Sequence, residues 1–156
     1  LKTSVLLGCS LNLGGIVANA SEIDLKFLYD FGQHIGIAFQ IQDDILDLYA
    51  DSDKFGKQVG GDVIANKKTI LHLTAINIAS QEQREIIKQL QNESKIDFKV
   101  SRTQELYDHL QVKEICKELM NDHYKKALTA IEKISVPASQ KKPLIELASY
   151  LMDREV

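Results

Sequence analysis

The sequence predicts an all-α fold, and three observations support the prediction. Apolar residues recur at steps of three and four almost throughout, and there is no sustained two-residue alternation of the kind that strands show. The two prolines, Pro137 and Pro143, both lie near the C-terminus, so long helices can precede them. The 156 residues are 44% apolar and 26% charged, which is an ordinary balance for one globular domain with a sizeable core.

The first two predicted helices span residues 2–20 and 21–49. The first mixes apolar side chains with small residues such as Gly8, and small residues allow a neighbouring helix to pack closely. The second begins at Ser21, which with Asp24 three residues later resembles a capping box.

The middle of the chain is predicted to contain a loop and two helices. Residues 51–62 are rich in Asp, Gly and Lys and are expected to form the loop. A helix is predicted over residues 63–79. Ser80 with Gln83 has the form of a second capping box and predicts a helix that ends near Gln91.

The next segment is predicted to begin with a loop over residues 92–100. Ser101 followed by Gln104 predicts the start of a short helix that ends near residue 110. Residues 112–134 keep helical spacing of their apolar side chains and predict a longer helix.

The C-terminal end is predicted to form one more helix after a break over residues 135–142. This helix covers residues 143–153, with Pro143 in its first turn, where a missing N–H is tolerated. No feature divides the chain, so one domain is expected. The chain begins at Leu1 within a predicted helix, and we therefore expect that an upstream segment has been removed.

Composition also excludes several classes of function. A net charge of −3 provides no basic surface for nucleic acid, and no apolar stretch reaches the roughly 20 residues that span a bilayer. Cys9 and Cys116 lie too far apart to form a disulfide framework, which favours a cytoplasmic location. The histidines show no paired spacing typical of zinc sites; they are His34, His72, His109 and His123.

One stripe of the second predicted helix is acidic. At 100° per residue, Asp43, Asp44 and Asp47 lie within about 60° of Gln40. The other positions around this stripe are almost all apolar, so the helix should be buried on most sides and the stripe should face a cavity.

Carboxylates one helical turn apart repel each other in a cavity unless cations are bound between them. Oxygen-only ligands suit Mg²⁺, which usually takes one or two carboxylates and completes its shell with water and substrate phosphates. Lys57, Lys67 and Lys68 follow the helix and could contact such phosphates. The stripe therefore predicts both a metal and a phosphate-bearing ligand.

These residues also fit two other interpretations. Three aspartates on a helix can form an ordinary solvated face, although the apolar surroundings argue against it. The loop over residues 51–62 partly fits a twelve-residue calcium loop. It fits poorly, because Phe55 occupies the fifth position and Asp62 replaces the bidentate glutamate at the twelfth.

Residues 36–69 closely resemble the second aspartate-rich region of trans-isoprenyl diphosphate synthases, the polyprenyl synthetases, of the short-chain farnesyl and geranylgeranyl type. Lys2-Thr3 resembles a Lys-Thr pair of that family, and Gly14-Gly15 falls where the family has small residues. The likeness is looser downstream and includes Tyr107, Val112, Tyr124, Ala127 and Arg154.

The resemblance implies the C-terminal half of one isoprenoid synthase domain, an antiparallel helical bundle that usually forms homodimers. It implies an enzyme that joins isopentenyl diphosphate to an allylic diphosphate with the help of Mg²⁺. The family's first half, with its first aspartate-rich motif and isopentenyl diphosphate site, has no counterpart here, so we expect this chain alone not to catalyse. The alternatives are a regulatory subunit of a prenyl synthase and a terpene cyclase or head-to-head synthase.

The resemblance also assigns roles to individual residues. Asp43, Asp44 and Asp47 would bind the metal. Three lysines would bind the allylic diphosphate and neutralise the leaving group: Lys2, Lys57 and Lys67. Thr3 and Gln40 would offer oxygen dipoles to the allylic cation, and Phe39 would help to wall the site.

Overall fold

The computed structural model describes residues 2–50 and 59–153, and all regular secondary structure in them is helical, which confirms the all-α prediction. None of the described helices is both long and apolar enough to cross a membrane. The helices are α1 (Lys2–Val17), α2 (Glu22–Tyr49), α3 (Gly61–Ile64), α4 (Ile70–Ile78), α5 (Gln81–Gln91), α6 (Ile96–His109), α7 (Val112–Glu132) and α8 (Ala138–Met152).

The described residues fall into two compact units. The first comprises residues 2–42 and 119–153 and holds α1, most of α2, the larger part of α7 and α8. The second comprises residues 43–50 and 59–118 and holds the end of α2, α3 to α6 and the start of α7. The expectation of a single domain stays a prediction.

The core of the first unit is formed where α2, α7 and α8 pack together. Its buried members are Phe31, Ile35, Ala127, Ala130, Ile131, Ile134 and Ala148. Leu7 and Leu11 of α1 pack against this cluster from one side. Because these residues recur at three- and four-residue steps, each helix buries one continuous stripe.

Glycines allow α1 and α2 to approach closely. A Cβ atom added to Gly36 would lie 2.6 Å from Cα of Ser4, and one added to Gly32 would lie 2.9 Å from Cα of Gly8. Neither distance is possible for a real side chain, so the backbones touch only because these positions lack one. The prediction that small residues of α1 permit close packing is confirmed at Gly8.

Of the two predicted capping boxes, the one at Ser80 is confirmed, and at Ser21 only the bond from the Asp24 N–H to the N-cap side chain is of the capping-box kind. The Asp24 N–H donates to Ser21 Oγ over 3.1 Å, and Ser21 Oγ donates back to the Asp24 carboxylate over 2.9 Å. Asp24 also accepts a hydrogen bond from the Ser135 N–H, which lowers the pKa of Asp24. At α5, Ser80 and Gln83 form a reciprocal capping box.

The prediction of one helix over residues 63–79 is wrong. The segment is divided into α3 and α4, and Asn66 between them adopts a left-handed conformation with φ of 51°. Thr69 then begins α4 as its N-cap, with Oγ1 accepting from the His72 N–H over 3.3 Å. Asparagine and threonine commonly take these two roles, but apolar periodicity continues across them and conceals the break.

The predicted loop over residues 92–100 is confirmed for residues 92–95 but is too long, since α6 begins at Ile96 instead of Ser101. The expected start relied on a capping box, whereas the observed N-cap, Lys95, makes no side-chain capping bond. Lys99 in the first turn is buried, so tertiary contacts stabilise the beginning of this helix.

The last helix begins at Ala138, and Pro143 lies inside it instead of in its first turn. The predicted break over residues 135–142 is therefore too long. Leu144, Ile145 and Ala148 pack into or against the core of the first unit, and this burial outweighs the hydrogen bond that proline cannot donate. The end of the helix is held where Gln42 Nε2 donates to the Met152 carbonyl over 2.9 Å.

Two histidines of the first unit point their ring nitrogens at each other. Nδ1 of His34 on α2 and Nδ1 of His123 on α7 are 3.0 Å apart, and the ring centroids are 5.1 Å apart. One ring must donate and the other accept, so the contact requires at least the accepting ring to be neutral and is lost when both rings are protonated. Burial lowers the pKa of both histidines; nearby Lys126 acts in the same direction, and Asp122 opposes it.

This pair predicts that the chain loses stability in mild acid. Because both pKa values are lower in the folded state than the ordinary 6.5, the unfolded chain binds more protons as the pH falls. The stability that the histidine pair contributes is fully present above pH 6.5 and is lost as the pH falls below it. The loss is on the order of 1 kcal/mol, the worth of one hydrogen bond. Urea unfolding at pH 7.5 and pH 5 should show the loss, and the same loss in His123→Gln would contradict this account.

Candidate functional site

The predicted site residues fall into two groups, one in each unit. Lys2, Thr3, Phe39 and Gln40 belong to the first unit. The second contains Asp43, Asp44, Asp47 and Lys67. Lys57, together with Arg154, lies outside the described residues.

In the first unit, the structure brings two of the predicted residues into contact. Thr3 Oγ1 donates to Gln40 Oε1 over 3.2 Å, between the first turn of α1 and the middle of α2. The contact depends on the close packing of Gly36 against Ser4, one residue further along α1. Lys2 and Thr3 also border an open, largely apolar concavity with Val5. The arrangement places neutral oxygens beside an apolar surface.

The three aspartates at the end of α2 have different surroundings. Asp43 is exposed, whereas Asp44 is only 8% exposed. One carboxylate oxygen of Asp44 accepts a hydrogen bond from the Ile70 N–H over 3.0 Å, at the start of α4. Asp44 therefore holds the N-terminus of a neighbouring helix, where a negative charge is favourable. Their spacing in the sequence alone does not distinguish the three carboxylates.

Asp47 connects α2 to the short helix α3. Its carbonyl accepts from the Gly60 N–H over 2.6 Å, and its carboxylate oxygen Oδ2 accepts from the Asp62 N–H over 2.9 Å. A Cβ on Gly61 would lie 3.3 Å from the other oxygen, Oδ1, so this glycine leaves room for the carboxylate. Burial raises the pKa of Asp47, and the bond from the Asp62 N–H opposes this rise.

Asp62 is a further member of the site that the sequence analysis considered only as the end of a calcium loop. Its carboxylate forms an ion pair with the ammonium group of Lys67, whose side chain is 63% exposed. The bond to Asp62 raises the pKa of Lys67, so the lysine is charged at neutral pH. The spacing of five residues across a helix and a turn gives no recognisable sequence signal.

The donor chemistry of the second unit suits a hard cation. In the two stretches that the structure describes, no three His, Cys, Asp or Glu side chains converge closely enough to hold a metal ion by themselves. Mg²⁺ does not require such a cluster, because it usually takes one or two carboxylates together with phosphate oxygens and water. The exposed carboxylate of Asp43 fits this requirement, and Asp47 offers oxygen donors of the same kind.

Comparisons with known proteins identify relatives of this chain. Residues 1–110 match the family model described as polyprenyl synthetase. A geranylgeranyl diphosphate synthase of Sulfolobus acidocaldarius is 32% identical over 135 residues, covering 86% of this chain and 41% of that protein. A short chain isoprenyl diphosphate synthase of Methanothermobacter thermautotrophicus is 29% identical, covering 99% of this chain and 47% of that protein.

The fold is shared with solved structures as well. The crystal structure of a geranylgeranyl pyrophosphate synthetase from Pyrococcus horikoshii Ot3 superposes with a TM-score of 0.90 and 31% sequence identity. The match covers 99% of this chain and 46% of that one. The chain thus spans less than half the length of these relatives.

Proposed function

We propose, from the premise that this chain belongs to the polyprenyl synthetase family, that the full-length protein is a prenyltransferase. It joins isopentenyl diphosphate to an allylic diphosphate and releases diphosphate. The observation that carries the proposal is in the second unit, where an exposed carboxylate, Asp43, occurs together with a charged lysine, Lys67, held by Asp62. Phosphate-bearing ligands need both kinds of group, one to bind a cation and one to bind phosphate directly.

The first task of the protein is to help the carbon–oxygen bond of the allylic diphosphate break. Negative charge develops on the departing diphosphate, and groups that stabilise this charge accelerate the step. Lys67 binds the diphosphate directly, and Lys2 and Lys57 are proposed to do the same. When bound by Asp43, Asp44 and Asp47, Mg²⁺ would supply further positive charge to the leaving group.

The second task is to stabilise the allylic cation until the isopentenyl double bond attacks it. The hydrogen-bonded oxygens of Thr3 and Gln40 are suited to this role, because their dipoles favour positive charge without reacting with it. Phe39 is proposed to help wall the site and exclude water. The final proton is lost to the released diphosphate, so none of the histidines is needed as a base.

The proposal is tested by assaying the purified full-length protein with isopentenyl diphosphate and a series of allylic diphosphates. We expect chain elongation with Mg²⁺, loss of at least about 99% of the activity with excess EDTA, and recovery when Mg²⁺ is restored. Analysis of the products identifies the chain length. Lack of elongation by a correctly folded protein would contradict the proposal and favour a regulatory subunit. Cyclised products would favour a terpene cyclase.

We propose further that the protein is a homodimer, as the family resemblance implies, and that it is cytoplasmic, as its two separated cysteines favour. Size-exclusion chromatography with light scattering measures the mass of the assembly, and cell fractionation tests the location.

A further inference from the structure

Lys99 is a buried lysine held by neutral oxygens. Its side chain lies in the first turn of α6 and is 5% exposed. The ammonium group donates to the Asn66 side-chain oxygen over 2.7 Å, to the Gln91 carbonyl over 3.2 Å and to the Ile64 carbonyl over 3.3 Å. A buried ammonium is unfavourable unless its hydrogen bonds are satisfied, and these three acceptors satisfy it.

Two of these acceptors are the last residues of helices. Ile64 ends α3 and Gln91 ends α5, so their carbonyl groups have no partner within their own helices. The C-terminal end of a helix carries partial negative charge, which attracts a cation. Lys99 therefore joins the ends of two helices to the start of a third.

The third acceptor links Lys99 to the proposed phosphate-binding lysine. Asn66 immediately precedes Lys67 and has a left-handed backbone. Its side-chain amide also donates to the Gln91 carbonyl over 3.0 Å, so Asn66 is held from two directions. The position of Lys67 follows from that of Asn66, because adjacent residues share a rigid peptide plane.

Helix α6 supports the same segment at its other end. A Cβ on Gly60 would lie 2.7 Å from a methyl carbon of Val100, so Gly60 packs directly against the residue after Lys99. Asp47 of α2 also accepts hydrogen bonds from the N–H groups of Gly60 and Asp62. The segment from Gly60 to Lys67 is thus held between α2 and α6.

The surroundings of Lys99 do not favour a binding site of its own. The cavity beside it has a volume of about 30 Å³ and is lined by Thr69, His72, Thr103 and Tyr107, among others. A space of this size accommodates little more than a water molecule. A ligand such as a phosphate does not fit, so the ammonium group acts on the protein.

We propose that Lys99 is a positioning residue for substrate binding: it fixes the segment from Gly60 to Lys67 so that Lys67 meets the allylic diphosphate. This inference rests on the proposed function, since it assumes the role given to Lys67. Its two consequences can be measured separately. One is the rigidity of the segment, and the other is the affinity for one of the two substrates.

The first experiment measures backbone hydrogen exchange in the full-length protein and in Lys99→Met. The amides of residues 64–67 are hydrogen-bonded within the segment, and we expect them to exchange at least about fivefold faster in the variant. Lys95→Met is the matched control, because it removes an exposed lysine one turn earlier and should leave exchange unchanged. Unchanged exchange in Lys99→Met would overturn the positioning role.

The second experiment measures steady-state kinetics of the same variants. Lys99→Met should raise KM for the allylic diphosphate about tenfold and leave KM for isopentenyl diphosphate within about twofold. Asn66→Gly keeps the left-handed backbone but removes the acceptor, so it should also raise KM for the allylic diphosphate. It replaces Lys99→Met as the test if that variant folds poorly. An equal rise in both KM values would mean general destabilisation and would overturn the inference.

A double variant separates this inference from the proposed function. If Lys99 acts through Lys67, Lys99→Met should change KM for the allylic diphosphate less than about twofold in a Lys67→Ala background. Fully additive effects would overturn the inference. A different outcome would be that Lys67→Ala alone leaves KM for the allylic diphosphate unchanged while Lys99→Met still speeds backbone hydrogen exchange. The role proposed for Lys67 would then fail, and with it the proposed effect of Lys99 on substrate binding.

Discussion

Replacing Asp43 with alanine in the full-length protein should lower turnover by at least about 100-fold, the effect typical of losing one group that stabilises the developing charge. Asp43 is the exposed member of the three aspartates at the end of α2. Removing its carboxylate should weaken Mg²⁺ binding, and higher Mg²⁺ should recover part of the lost activity. Steady-state assays over a range of Mg²⁺ concentrations measure both effects.

Asp44→Ala is the comparison for stability, because Asp44 is buried whereas Asp43 is exposed. Because the Asp44 carboxylate accepts from the Ile70 N–H, its removal leaves a partly buried donor without this acceptor and should destabilise the protein by about 1–3 kcal/mol. Asp43→Ala should change the free energy of unfolding by less than about 0.5 kcal/mol, as is usual for an exposed position. Near-normal turnover in Asp43→Ala would rule out the role assigned to it.

Gly36→Ala should have the second largest effect, although the substitution adds only one methyl group. The new Cβ would lie 2.6 Å from Cα of Ser4, and a backbone atom cannot move aside as a flexible side chain can. Helices α1 and α2 must therefore separate locally, at a cost of about 1–3 kcal/mol in the free energy of unfolding. Urea unfolding of the variant measures this loss.

The same separation should impair catalysis, because the Thr3–Gln40 hydrogen bond joins these two helices. A displacement on the scale of 1 Å at a positioning contact can lower activity by up to about 100-fold. We therefore expect turnover of the full-length Gly36→Ala variant to fall by roughly 10- to 100-fold. Measurements should be made at a temperature at which the variant is folded.

Gly14→Ala provides the control on the same pair of helices. A Cβ at Gly14 meets nothing within 4 Å, and alanine is a better helix former than glycine. This variant should be stabilised by up to about 1 kcal/mol and keep its turnover. If both variants behaved alike, close packing at Gly36 would not be the cause.

The sequence alone predicted most of the helices because their signals are local. The hydrogen bond from the Asp24 N–H to Ser21 and the capping box at Ser80 act within one turn, and the apolar stripe of α2 repeats along the helix. Prediction from the sequence failed where local signals conflicted with contacts between residues far apart in the chain. Pro143 is tolerated within α8 because that helix packs on the core, and α6 begins before its expected capping box.

Candidate site residues could be predicted where their spacing in the sequence indicates their chemistry. The aspartates of α2 lie on one stripe in any helix, so their shared face could be calculated from the sequence. Their individual surroundings could not be calculated from the sequence in this way. Asp44 is distinguished from Asp43 by the Ile70 N–H, which comes from a residue 26 positions away in the chain.

By itself, then, the sequence determined the helical class, the acidic stripe of α2, and the small residues of α1 that let a neighbouring helix pack closely. Those properties depend on periodicity and on the absence of a side chain. Only the tertiary structure decided which aspartate is exposed, that Asp62 pairs with Lys67, and that Lys99 secures the segment beside them. These contacts join residues from different helices, and their free energy arises only when folding brings the partners together and removes them from water.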